Sequence, residues 1–272
     1  MRKGPTATDG FRPETLKAVE VVEQALRLAR REVGAGDLAS KGGRDVVTAI
    51  DVAVEDAVRE LLTGALGLTV VGEERGGEAP RDGSAYWLVD PICGTRNFAS
   101  GIPLYCVNLA LVEDDQITIA VVGDPPIGEI DVAERGRGAW ALRDGRRRSL
   151  AASDESRTIV VEDSASKGAM RERAAEFTAR AIRADRWHFR SLGTTLALPY
   201  VAAGRISAYA LFWTSGIHVG AGSLLATEAG ATLTDLDGGP WTIHSDSLLV
   251  SANDKLHADL LNLARATAPR PA

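Results

Sequence analysis

The chemistry-bearing residues are concentrated in one stretch, Tyr86-Trp87-Leu88-Val89-Asp90-Pro91-Ile92-Cys93-Gly94-Thr95-Arg96-Asn97-Phe98. An apolar strand is predicted to end at Asp90, with Pro91 stopping its ladder, and a helix to begin at Gly94-Thr95. Amides at a helix start are free to hold an oxyanion such as phosphate. A carboxylate beside such amides suits a divalent metal that bridges protein and phosphate. Two further acidic positions sit at element ends. Glu73-Glu74 follows the apolar run Leu68–Val71, and Asp51 closes Thr48-Ala49-Ile50-Asp51, which has the form of a capping box.

The elements that must position these groups are legible from periodicity. Leu16, Val19, Val22, Leu26 and Ala29 form one stripe of a helix over Pro13–Val33, ended by Gly34 and Gly36. A polar loop, Ser40–Asp45, leads to a second helix that runs to about Leu66. Leu68–Val71, Tyr86–Val89, Val107–Val112, Ile117–Val122 and Glu129–Ala133 read as strands, and Asp144-Gly145 as a hairpin turn. Beyond Ser153, strands at Thr158–Val161, His188–Arg190, Ala208–Phe212 and Leu248–Ser251 alternate with helices. The helices are Lys167–Ile182, Leu192–Ala203, His218–Ala229 (closed by Gly230) and Asp254–Thr267, before a frayed tail, Ala268–Ala272. The pattern is an α/β fold of two halves, 1–150 carrying the motifs and 151–272 closing the site.

The 272 residues are 45% hydrophobic and 25% charged, enough apolar surface for a packed core. Lys and Arg number 31 and Asp and Glu 37, a net charge of −6 without a basic block. That balance excludes an electrostatic nucleic-acid or membrane-surface binder and leaves a small-molecule substrate held locally. Two cysteines build no disulfide framework, no apolar leader is visible, and no run approaches the roughly 18 residues of a membrane span, so a cytoplasmic location is expected.

The segment Val89-Asp90-Pro91-Ile92-x-Gly94-Thr95-x-Asn97-Phe98 resembles the signature of the inositol monophosphatase family of metal-dependent, lithium-sensitive phosphatases. Gly72-Glu73-Glu74, Lys41…Asp45-Val46-Val47-Thr48-x-x-Asp51, Gly193-Thr194…Gly204-Arg205 and Gly220-Ala221-Gly222…Glu228-Ala229-Gly230 resemble its other motifs. The resemblance runs from about residue 16 to 253. It implies a layered αβαβα sandwich, a homodimer, and a site between the two halves. It also implies that Glu73, Asp90 and the Ile92 carbonyl hold a first Mg²⁺, that Asp51 and Thr95 orient the attacking water, and that the Gly94 and Thr95 amides hold the phosphate.

Two positions depart from that pattern. Cys93 stands where the family has Asp, and Ile217-His218 where it has Trp-Asp, counted without a gap from Glu228. The resemblance implies that these two positions, together with Asp90, hold a second Mg²⁺, so that shell would here be Asp90, Cys93 and His218. Mg²⁺ prefers oxygen donors, whereas a Cys/His/carboxylate set suits Zn²⁺ or another borderline metal. The same residues admit a Cys93–His218 dyad without metal for acyl-type chemistry, with a thiol pKa lowered at the helix start. They also admit an inactive binding homologue. Leu211 and Ser207 stand where the resemblance places acidic residues, which points away from inositol phosphate as substrate. Cys106 reads as core. Trp140, Trp187, Trp213 and Trp241 read as packing, Gly136-x-Gly138 as a turn, and Arg146-Arg147-Arg148 as a solvated hairpin end.

Overall fold

The computed structural model describes residues 6–34, 38–42, 45–162 and 168–266. Gly36, Lys167, Thr267 and the tail from Ala268, each assigned a role above, lie outside the described residues. Helix α1 (Pro13–Glu32) carries Pro13 in its first turn, where a missing N–H costs nothing, and buries Ala18, Val19, Val22, Leu26 and Ala29. Leu16, expected on that stripe, is exposed. The predicted loop at Ser40–Asp45 is instead a hairpin of β1 (Ala39–Gly42) and β2 (Asp45–Val47). Its ladder is backbone pairing with an irregularity between Ser40 and Gly42, and its polar, glycine-rich sequence has no alternation to reveal it.

Helix α2 (Ala49–Leu66) starts with the predicted capping box. The Thr48 hydroxyl accepts from the Ile50 and Asp51 amides, and Asp51 accepts from the Thr48 amide at 2.9 Å. Strands β3 (Thr69–Gly72) and β4 (Tyr86–Cys93) follow, then the short helix α3 (Thr95–Ala99). The meander continues through β5 (Cys106–Glu113), β6 (Gln116–Asp124), β7 (Glu129–Glu134), β8 (Gly138–Arg143) and β9 (Arg146–Ser149). These make a seven-stranded sheet in chain order, parallel at β3/β4 and antiparallel elsewhere. The second sheet combines β10 (Thr158–Glu162), β11 (His188–Arg190), β12 (Ala208–Leu211), β13 (Thr232–Thr234) and β14 (Leu248–Ser251) in the order β11-β10-β12-β14-β13. Its helices are α4 (Gly168–Arg183), α5 (Ala197–Ala202), α6 (Gly216–Glu228) and α7 (Asp254–Ala266). None of the described helices is long and apolar enough to cross a membrane.

Packing sorts these elements into five layers, αβαβα. Residues of α1 and α2 share a core with one face of the large sheet. The other face packs on Ala221, Leu224 and Leu225 of α6. Val219 and Ala226, elsewhere on α6, pack on the small sheet, whose outer face meets α4 and α7. A helix between two sheets must be apolar nearly all round, and α6 is. Gly222 permits the close approach of α5 to α6, because a Cβ there would lie 2.4 Å from Leu198 of α5.

Three details correct the sequence expectations. Strand β4 does not stop at Asp90 but runs through Pro91 to Cys93, because Pro91 sits in a ladder irregularity that asks no N–H of it. Helix α5 starts at Ala197, not Leu192. Gly193 is at φ +67°, and the Leu192 and Gly193 amides are bonded to Glu162 rather than to a helix turn. Of the three arginines at Arg146–Arg148, Arg147 folds back over the Phe11 and Trp140 rings, 4.3 and 4.0 Å from their centroids. The Gly136-x-Gly138 turn is confirmed, and both its glycine amides are taken by the Glu228 carboxylate at 2.7 and 2.8 Å.

Asp131, in the middle of β7, is 2% exposed, and its Oδ1 has no hydrogen-bond partner. Burial first, then the nearby Glu129 and Asp124 charges, hold its carboxyl well above the ordinary range, against Arg205 and Arg148. The folded chain therefore retains a proton that the unfolded chain loses, and stability falls as pH rises from the ordinary carboxylate range through the raised value. Asp131→Asn should flatten that slope. In paired thermal melts at about pH 5 and pH 8, the variant should gain Tm relative to the parent at the higher pH and little at the lower.

Candidate active site

Five elements, α2, β3, β4, α3 and α6, deliver the predicted site residues. The cap of α2 presents Asp51, which is fully buried. One of its oxygens is held by Thr48, and the other lies 3.0 Å from Thr95 Oγ1. That hydroxyl is also 3.1 Å from the Ile92 carbonyl, so its one proton bonds either acceptor. Burial pushes the Asp51 carboxyl up, and the bonds from Thr48 and Thr95 oppose the shift in part. Gly94 turns the chain from β4 into α3 at φ +105°. A Cβ there would lie 2.9 Å from the Leu104 carbonyl and 3.1 Å from Thr194 Cβ, so glycine is demanded twice over.

Glu73 follows the end of β3, and its amide donates to the Val89 carbonyl at 3.0 Å, which sets it beside Asp90 on the neighbouring strand. The turn after it is gripped by a buried carboxylate the sequence reading missed. Glu55 accepts the Glu74 and Arg75 amides at 2.6 and 3.0 Å and the Arg59 side chain at 2.9 Å. Asp51, Glu55, Val58 and Leu62 lie on one buried stripe of α2, and an acidic residue on an apolar stripe was the available signal. Asn97 donates to the Leu104 and Leu192 carbonyls at 2.8 and 2.7 Å, tying α3 to the 191–196 turn.

The two atypical residues converge. Opposite β5, Asp90 faces Asn108 and Cys93 faces Cys106, three steps on β4 against two on β5. That extra residue is a bulge, and it returns Cys93 to the face that carries Leu88, while Ile92 packs on the opposite side. From α6, His218 Nδ1 reaches Asp90 Oδ2 at 2.9 Å. Asp90, Cys93 and His218 each offer a donor atom within 4.8 Å of the others, and among the described residues this is the one such group of His, Cys, Asp or Glu. The Cys93 sulfur accepts from the Thr195 hydroxyl at 2.9 Å and from its amide at 3.4 Å.

A low-pKa thiol is not what this environment makes. Cys106 against it, burial and the Asp90 charge push the Cys93 thiol well up, and only Thr195 works the other way. Without a cation at the site the sulfur keeps its proton, and the helix of five residues that follows is too short to compensate. Asp90 is fully buried, and its Oδ1 has no partner. A carboxylate oxygen left open beside a sulfur and an imidazole fits a borderline divalent metal with three protein ligands and an open position. Leu211 is buried at the end of β12, whereas Trp213 two residues on is 44% exposed, a correction to its reading as packing. The turn had no periodicity that would have shown it.

The layered αβαβα body is a fold shared with a solved inositol monophosphatase from Anabaena, which superposes with a TM-score of 0.76 at 25% identity and covers 94% of this chain and 96% of that one. The family model described as inositol monophosphatase family matches residues 11–268, and the chain belongs to that family. The inositol-1-monophosphatase of Mesorhizobium japonicum is 34% identical over 83% of this chain and 85% of its own length. A histidinol-phosphatase of Mycobacterium tuberculosis is 34% identical over 93% of this chain and 98% of its own. Among solved structures, the extragenic suppressor protein suhB of Bartonella henselae superposes with a TM-score of 0.84 at 26% identity, covering 93% of this chain and 99% of that one.

Gly94→Ala combines a forbidden φ with a clash against backbone. It should lower stability by more than about 1 kcal/mol and abolish activity. Urea unfolding of the variant beside the parent measures the first, and an unchanged midpoint would contradict the packing described.

Proposed function

We propose that the chain is a metal-dependent phosphoester hydrolase for a small phosphorylated metabolite other than inositol phosphate. The observation that carries this reading is the convergence of Asp90, Cys93 and His218 on one point beside the Asp51–Thr95 pair. Glu73, Asp90 and the Ile92 carbonyl would hold Mg²⁺, and Asp90, Cys93 and His218 would hold Zn²⁺ or another borderline metal. Bound divalent metals neutralise phosphate charge and lower the pKa of water.

The protein's own part is positioning. The Gly94 and Thr95 amides, at the start of α3, would hold phosphate oxygens. The Thr95 hydroxyl would orient the attacking water, and Asp51, buried behind it with its carboxyl raised by burial, would take up the proton through that hydroxyl, since a base serves best when its pKa is brought toward working pH. Leu211 is buried in the core and offers no carboxylate where the resemblance places an acidic residue, which supports a substrate other than inositol phosphate. That a family relative is named histidinol-phosphatase supports a substrate outside the inositol phosphates. The acidic balance fits a cytoplasmic enzyme without a nucleic-acid partner, and the family resemblance extends the reading to a homodimer.

The test restores oxygen donors. Cys93→Asp and His218→Asp alone should each change Mg²⁺-supported hydrolysis of simple phosphate esters by less than about threefold. The double variant should raise it by at least about tenfold, because both residues would serve one ion. A folded double variant with no gain would contradict the proposed arrangement.

A further inference from the structure

The bulge that turns Cys93 toward Asp90 also sets it directly across from Cys106. Both cysteines are free, and both side chains lie on the same face of the sheet. Directly opposed residues on antiparallel strands have Cα atoms about 4.5–5.5 Å apart, inside the roughly 4.4–6.8 Å span of disulfides. One hydroxyl touches both sulfurs: Thr195 Oγ1 is 2.9 Å from Cys93 Sγ and 3.9 Å from Cys106 Sγ. Cys93 is 9% exposed and Cys106 fully buried, so an oxidant entering the site meets Cys93 first.

We propose that Cys93 and Cys106 form a reversible oxidation site, in which a two-electron oxidant of the peroxide class joins them in a cross-strand disulfide and removes Cys93 from Asp90 and His218. The consequence for metal binding rests on the function proposed above; the disulfide itself does not. Chemically, the Cys93 sulfur attacks one peroxide oxygen and the O–O bond breaks. Cys93 becomes the sulfenic acid, and the other oxygen leaves as water with the thiol proton. The Cys106 sulfur then attacks the Cys93 sulfur, and the S–O bond breaks. A second water leaves with the Cys106 proton, so two thiols and one peroxide give one disulfide and two waters. The sulfurs together lose the two electrons that the peroxide gains. Cys106 is thus the resolving thiol, and its placement spares Cys93 the irreversible sulfinic and sulfonic steps.

The experiment uses the full chain, reduced and either metal-free or loaded with Zn²⁺, and treated with hydrogen peroxide. Intact mass should fall by about 2 Da, peptide mapping should find Cys93 joined to Cys106, and dithiothreitol should reverse both. In the loaded protein, Zn²⁺ captured by a chromogenic chelator should rise in step with the disulfide. Cys106→Ala should keep its Zn²⁺ affinity within about threefold yet gain two or three oxygens on Cys93, as the sulfinic or sulfonic acid, without a crosslink and without recovery by dithiothreitol. Cys93→Ala, which leaves Cys106 in place, should gain nothing under the same dose. Oxygen adducts without a crosslink in the parent, crosslinks between chains only, or no reaction at a dose that modifies Cys106→Ala would each overturn the proposal. A Cys93–Cys106 disulfide in a protein that never binds Zn²⁺ would uphold the oxidation site and refute the metal assignment instead.

Discussion

One extra residue between Asp90 and Cys93 governs the centre of the molecule. A regular ladder would put Asp90 and Cys93 on opposite faces of the large sheet, and a side chain on the α1/α2 face could meet nothing on α6. The bulge brings both to the face that α6 covers, where His218 already bonds Asp90. Pro91 belongs to the same device, since a residue without an N–H is tolerated where the ladder is interrupted. The burial of Asp90 follows, and with it an oxygen without a hydrogen-bond partner, which supports the metal site proposed above.

Two brackets hold the bulge. On one side α2 carries Asp51 at its cap and Glu55 one turn later, so a single helix fixes the carboxylate beside Thr95 and the turn that follows Glu73. On the other, the 191–196 turn is drawn in by Glu162 and Asn97, and its threonines meet the Cys93 carbonyl and sulfur. The two halves of the chain therefore meet around Cys93, and its sulfur is set by residues of the second half although it lies on a strand of the first. The thiol has two hydrogen-bond donors aimed at it yet does not ionise alone beside Cys106 and under burial, an arrangement that supports the proposal of a cation displacing its proton.

What was legible in the sequence was local. The Thr48–Asp51 capping box, the Asp144-Gly145 hairpin and the apolar runs of β5 through β7 are short-range signals with a mechanism attached, and all three stand in the structure. The run from Asp90 to Phe98 announced its chemistry through residue types alone. What escaped was set by tertiary contact. Counting residues cannot say which face Cys93 takes, because that depends on a ladder irregularity. Thr195 looked like a helix residue until Glu162 was seen to hold the amides before it. Glu55 and Arg59 bond each other and also reach β3 and the turn after it, contacts that no local signal carries. The low thiol pKa expected from the helix start is overturned by Cys106 across the ladder and by burial, causes that exist only once the neighbours are in place.

The central claim, that Asp90, Cys93 and His218 form one ligand set for a borderline metal, is tested most directly by loading the protein with Co²⁺ as a spectroscopic stand-in for Zn²⁺. Titration should give a sulfur-to-cobalt charge-transfer band that saturates at one equivalent and is displaced by Zn²⁺ but not by Mg²⁺. Cys93→Ala should abolish that band, and His218→Ala should weaken and shift it. A protein that binds Co²⁺ with no sulfur band, or whose band survives Cys93→Ala, would contradict the account.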